Sequence, residues 1–181
     1  MRKILTALER VSVWHEEPHV LRRMAAQEIH RGIAINPAGL PDDLRGELRQ
    51  LVTTYGVQPR EDLGQRLLDH ITTTPHYDPW YGERMGLGRH WSVSPGVAER
   101  ATGSTWASPR RNPWRVVMRA EVPEDSHRYT DDPEIQRYHR EKEWQLDPGD
   151  EVNVTGLRVR GPGPRWLSWA EIPVASHVRA V

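Results

Sequence analysis

Cysteine is absent from the 181 residues, which excludes disulfides, thiolate nucleophiles and cysteine-ligated zinc. Phenylalanine is absent too, and lysine occurs only at positions 3 and 142, so nearly all of the 25 basic side chains are arginine. We read that skew as a bias of coding composition and attach no function to it. No run approaches the ~18–20 apolar residues that a bilayer span requires. The first residues, MRKILTALERVSVW, start basic, but Glu9 and Arg10 break their apolar stretch, too early for a signal peptide. These absences predict a soluble, cytoplasmic protein without a membrane partner. Formal net charge is zero, so no broad electrostatic footprint for nucleic acid is expected.

What is present argues for a folded domain. Apolar residues make up 36% and charged residues 28%, a balance outside the disordered range. The length suits a single domain spanning 1–181. Ile4, Leu5, Leu8 and Val11 are spaced for a short helix over 2–11. In QEIHRGIAIN, Ile29, Arg31, Ile33 and Ile35 share one face of a strand, because positions i, i+2 and i+4 line one side. Pro41 and two acids open a helix with Leu40, Leu44, Leu48 and Leu51 on one face, and Leu63, Leu67, Leu68 and Ile71 mark another at 60–71. Residues 72–88 read as a long irregular stretch rich in Pro, Gly, Tyr and Trp. HWSVS predicts a short strand with Ser92 and Ser94 on one face, followed by a helix with Pro95 in its first turn.

The second half reads as β. Trp114, Val116, Met118, Ala120 and Val122 alternate against Arg115, Arg119 and Glu121, which defines a strand. Residues 123–140 read as a polar loop. Asp147-Pro148-Gly149-Asp150 fits a type II turn, so 141–146 should be a strand leading into it. On that strand Glu141 and Glu143 share a face, where like charges raise one another's pKa. EVNVTGLRVR changes phase after Val154, which predicts a bulge at Thr155-Gly156. Helices early and strands late give an α+β fold with antiparallel sheets.

HEEPH at 15–19 matches the letters of a zinc-binding H-E-x-x-H helix. Pro18 inside the span would break that helix at a cost of ~3 kcal/mol, and no metal is expected. Neither serine sits in a G-x-S-x-G elbow, so hydrolase chemistry on Ser92 or Ser94 is not supported. Arg31, set among isoleucines, calls for a phosphate or carboxylate partner, or for an edge position where it reaches water.

In chain order, IHRGI with Arg31, WSVS with Ser92 and Ser94, and YHREKEWQLDPGDEVNV with Glu141 and Glu143 resemble the R-S-E class of mono-ADP-ribosyltransferases, of bacterial and phage type. The resemblance covers about residues 29–160, and GLGRHWS before the second motif is similar as well. Val93 departs from the usual Ser-Thr-Ser. In an alternating strand it points away from its two serine neighbours.

The resemblance implies an ADP-ribosyltransferase-like split antiparallel β-sandwich with N-terminal helices. It implies transfer of ADP-ribose from NAD, as substrate, to an acceptor, with release of nicotinamide. Glu143 would stabilise the ribosyl cation, Ser92 would fix Glu143, and Arg31 would hold the NAD phosphates. Further cofactor contacts would come from Ser94, His30, Gly32 and Trp91, with Trp106 as a candidate to pack the nicotinamide. Glu141, as Glu rather than Gln, implies a protein arginine as acceptor, with Tyr138 stacking on its guanidinium. The alternatives are an NAD glycohydrolase, a transferase to a non-protein acceptor such as nucleic acid, and a non-catalytic NAD-binding module.

Overall fold

The computed structural model describes residues 26–74, 76–78, 82–84, 86–88, 90–102, 113–123, 128–129, 143–147, 149–161 and 169–179. The helix expected at 2–11 and the HEEPH segment lie outside them. The described chain is α+β, with nine strands in one antiparallel sheet and three α-helices.

Strand β1 (Ala26–Ile35) is central. It pairs along its whole length with β5 (Trp114–Pro123), from Ala26 opposite Pro123 to Ile35 opposite Trp114. Beyond β5 lie β8 (Glu151–Arg160) and β9 (Ala170–Arg179). The other edge of β1 is shared by two short strands. Strand β4 (His90–Ser92) pairs where His30 faces Ser92, and β2 (His76–Asp78) where Ala34 faces Tyr77. Strand β3 (Gly82–Arg84) extends β2, while β7 (Glu143–Gln145) and β6 (Arg128–Tyr129) extend β4.

One sheet face is strongly apolar. Ile29, Ile33, Val116, Met118, Val154 and Leu157 are buried there, as their alternation requires. They join a single core with leucines of α1 (Asp42–Thr53) and α2 (Leu63–Thr73). Burying each such side chain contributes about 1.5–3 kcal/mol. Arg66 Nη1 donates to Glu47 Oε1 at 2.8 Å and also pairs with Asp43, which ties α2 to α1.

The opposite face of β1 carries α3 (Pro95–Ala101). The contact depends on Gly32. A Cβ there would stand 1.9 Å from the Ala98 carbonyl oxygen and 2.9 Å from Thr102 Cγ2. Only a residue without a side chain lets the helix backbone lie this close to the strand. Arg158 of β8 holds α3 from the far side. It pairs with Glu99 of α3, lies 2.8 Å from Glu171 of β9, and stacks 5.3 Å from the Trp169 ring centroid. The Glu171 contact is an ion pair lacking hydrogen-bond alignment at Nε.

Two local sequence expectations reappear in the backbone. Gly149 takes φ +92° and Asp150 N–H donates to the Asp147 carbonyl at 3.1 Å, consistent with a type II turn. The register of β8 shifts between Val154 and Gly156 against β9, and between Arg119 and Ala120 against β5, which places the bulge where the phase changes. Others need correction. The stretch at 72–88 contains β2 and β3, and the loop expected at 123–140 contains β6, strands too short to carry a readable period. The strand of WSVS stops at Ser92, because Pro95 at the start of α3 makes Ser94 the helix N-cap rather than a strand position.

A polar row across the sheet as the candidate active site

The three sequence motifs sit on adjacent strands. Glu143 of β7 stands directly opposite Ser92 of β4, and Ser92 directly opposite His30 of β1. The row continues to Arg119 of β5, opposite His30, and to Gly156 of β8, opposite Arg119. Directly opposed positions in antiparallel strands share a sheet face. Positions 143, 92, 30, 119 and 156 therefore form one row on the face that carries α3.

Ser92 is 5% exposed, and its Oγ accepts the Ser94 main-chain N–H at 3.0 Å. That bond turns the chain sharply from β4 into α3. Ser94 itself makes no side-chain cap bond to the helix. The substitution at Val93 leaves this turn intact, since the bond joins only the two serines.

His30 is 6% exposed. Its Nε2 lies 3.3 Å from Glu28 Oε1, and its Nδ1 is buried with no hydrogen-bond partner. Burial pushes its pKa below 6.5, Glu28 pulls it back, and Arg119 and Arg158 add to the lowering. A Ser92 main-chain group also favours the charged ring, without meeting hydrogen-bond geometry at Nδ1. At neutral pH the ring is therefore uncharged. The neutral ring keeps one N–H, and its Nδ1 stands buried without a hydrogen-bond partner.

Arg31 occupies the other face. It is 5% exposed and lies in the row of isoleucines, as the alternation predicts. Its Nη1 donates to the His90 main-chain carbonyl at 2.6 Å. The guanidinium lies against Gly88, which takes φ +63° and where a Cβ would come within 2.4 Å of Arg31 Nη2. Trp91 is on this core side as well, and its indole N–H donates to the Gly88 carbonyl at 3.2 Å. Arg31 and Trp91 thus both fasten the turn that leads into β4.

The structure accordingly brings together Glu143, Ser92 and His30, and places Arg31 and Trp91 behind them. Gly32 stands on the front face, where α3 fills the space beside it. Glu141, Tyr138 and Trp106 lie outside the described residues. Among the described residues, no cluster of three His, Asp or Glu could hold a metal ion. No helix among them is long and apolar enough to cross a membrane. Searches against protein-family models, curated proteins and solved structures found no match.

Two participants were not singled out from the sequence. Arg119 reads there as an ordinary outward residue of a clear strand. Glu28 reads as a polar strand position, although its spacing of two from His30 already puts both on one face.

Proposed function

We propose that the protein cleaves NAD at the bond between nicotinamide and ribose and transfers the ADP-ribosyl group to an arginine side chain. The reading includes the finer fold, a split antiparallel sandwich of the ADP-ribosyltransferase kind. The observation that carries it is the register of Glu143 opposite Ser92 opposite His30. Positions 143 and 92, from two motifs some fifty residues apart, fall in one row of a single face, and the first motif adds His30 to that row while its Arg31 turns to the other face.

The chemistry suits such a row. Breaking the nicotinamide bond develops positive charge on the ribose. A carboxylate fixed beneath the sugar favours that charge chiefly in the transition state, which is the interaction that raises rate. Glu143 takes this role, and Ser92, held by its turn, would orient it. His30 Nδ1 fits the group as a buried ring nitrogen without a partner, a need that a ribose hydroxyl, able to donate or accept, would meet. Arg31 acts indirectly: by bonding the His90 carbonyl it braces β4, and with it Ser92. Glu141 supplies the second carboxylate. A guanidinium with pKa above ~12 is nearly non-nucleophilic until a carboxylate orients it and accepts its proton.

The acceptor assignment is tested by incubating the protein with NAD and agmatine and measuring nicotinamide and ADP-ribosyl-agmatine separately. Glu141→Gln should suppress the agmatine product while nicotinamide release continues. Equal loss of both products would remove Glu141 from the acceptor role. Nicotinamide without any agmatine product in the unaltered protein would establish the glycohydrolase reading instead.

A further inference from the structure

We infer that Arg119, rather than Arg31, grips the phosphates of the dinucleotide, in a ribose-phosphate subsite that it forms with His30. The inference rests on the NAD reading above, and begins from sheet parity. Arg31 and Arg119 belong to adjacent strands, and Arg119 stands opposite His30. It therefore shares the face of positions 92 and 143, whereas Arg31, one residue on from His30, is on the other. A cation meant to hold the same ligand as Glu143 has to be on the face of Glu143.

Arg119 is also the available cation on that row. It is exposed, and among the described residues no carboxylate pairs with it. Arg158, the nearby arginine on the same face, is already paired with Glu99 and Glu171. Among the described residues the side-chain hydrogen bond of Arg119 is weak, Nε donating to Thr155 Oγ1 at 3.3 Å. Its guanidinium rests over Gly156, where a Cβ would approach Nη2 to 3.0 Å. The bulge at 154–156 thus leaves a floor without a side chain, on which the planar fork can lie and turn. Such a fork takes two phosphate oxygens at once.

The second, independent observation is His30. A buried ring nitrogen without a partner is rare and asks for a ligand. A neutral ring nitrogen pairs with a hydroxyl, which can donate or accept, and does not hold an anion by charge. A phosphate-binding fork beside a hydroxyl-binding ring nitrogen describes a ribose phosphate. The spacing agrees, because position 143 lies three strands from position 119, about 14 Å at the usual interstrand separation. An extended dinucleotide with its reacting ribose at 143 would carry its phosphates toward 119.

The test is calorimetric titration of the full chain with ADP-ribose, and with adenosine as the ligand lacking phosphate. Arg119→Ala should weaken ADP-ribose about 10- to 100-fold, the range for losing a hydrogen-bonded charge. Arg119→Lys should fall between, and adenosine should be indifferent to both substitutions. In turnover, Arg119→Ala should raise KM for NAD more than it lowers kcat. Unchanged ADP-ribose affinity in a folded Arg119→Ala overturns the subsite, as does absence of ADP-ribose binding by the unaltered protein. The two readings fail separately. Nicotinamide release that depends on Glu143 but not on Arg119 sinks the subsite alone. Binding of ADP-ribose through Arg119 without any NAD cleavage supports the subsite and sinks the transferase reading.

Discussion

Replacing Gly32 by alanine should be among the most disruptive single-methyl additions in this molecule. The new Cβ would meet the Ala98 carbonyl oxygen at 1.9 Å, the Ala98 carbonyl carbon at 2.8 Å and Thr102 Cγ2 at 2.9 Å. Two of these are main-chain atoms of α3, so no rotamer change relieves them. Either β1 or the whole helix has to move, and β1 is pinned on both edges by β5 and β4. The helix should therefore lift. Overpacking of well-packed sites costs about 1–3 kcal/mol, and a contact with rigid backbone belongs at the upper end. For a chain of this size 3 kcal/mol corresponds to a fall in Tm of about 6–12 °C. Gly46→Ala provides the control. Gly46 is exposed within α1 and a Cβ there meets nothing within 4 Å, so alanine should stabilise by about 0.5–1 kcal/mol through helix propensity. Differential scanning calorimetry of both variants measures the contrast. A Gly32→Ala protein that melts with the unaltered chain would refute the close approach of α3, and with it the placement of Ser92 and Ser94 at its entrance.

The remaining predictions use charge. His30 and His70 both have pKa values lowered from 6.5 by burial, so the folded state resists protonation that the unfolded chain accepts. Stability should be full above about pH 7, fall as pH drops through 6.5, and level off below the folded pKa values. Tm followed between about pH 7.5 and 5.5 should therefore slope less in His30→Gln than in the unaltered protein, and an identical slope would contradict the buried neutral ring. Arg158→Ala removes the tie between α3 and two strands. Because the arginine is 30% exposed at its side chain, the loss should be modest, about 1–2 kcal/mol by urea unfolding. No loss would show that α3 is held by Gly32 packing alone.

The fold was legible where a face is buried. The alternation through Ile29, Arg31, Ile33 and Ile35, and through Val116, Met118, Ala120 and Val122, leaves few choices of element, and the leucine spacing of α1 and α2 is equally direct. The Asp147–Asp150 turn and the bulge after Val154 were readable because proline, glycine and a phase change act locally. Strands β2 and β3 were not, since three residues cannot display a period. Ser94 was read as a strand residue because alternation in WSVS outweighed the helix-starting signal of Pro95.

The site was legible as residue types and not as a geometry. Glu143 and Ser92 were identifiable from motif order, but that they stand in register depends on a pairing between chain segments some fifty residues apart. Arg31 was rightly assigned to the core row, yet its bond to the His90 carbonyl could not be anticipated from the sequence. Gly32 was singled out as a ligand contact, and the close approach of α3 accounts for its lack of a side chain. Such long-range placements are set by loops and by packing against other elements, which leave no mark on local periodicity.

The most direct measurement is nicotinamide release from NAD by the unaltered protein and by Glu143→Gln, compared at matched folded fraction. Release should fall by ~10²-fold or more in the variant, the effect of losing one preorganised electrostatic group, with Tm unchanged. Release at a near-normal rate from Glu143→Gln, or none from the unaltered chain, would contradict the assignment of this polar row as a site for cleaving NAD.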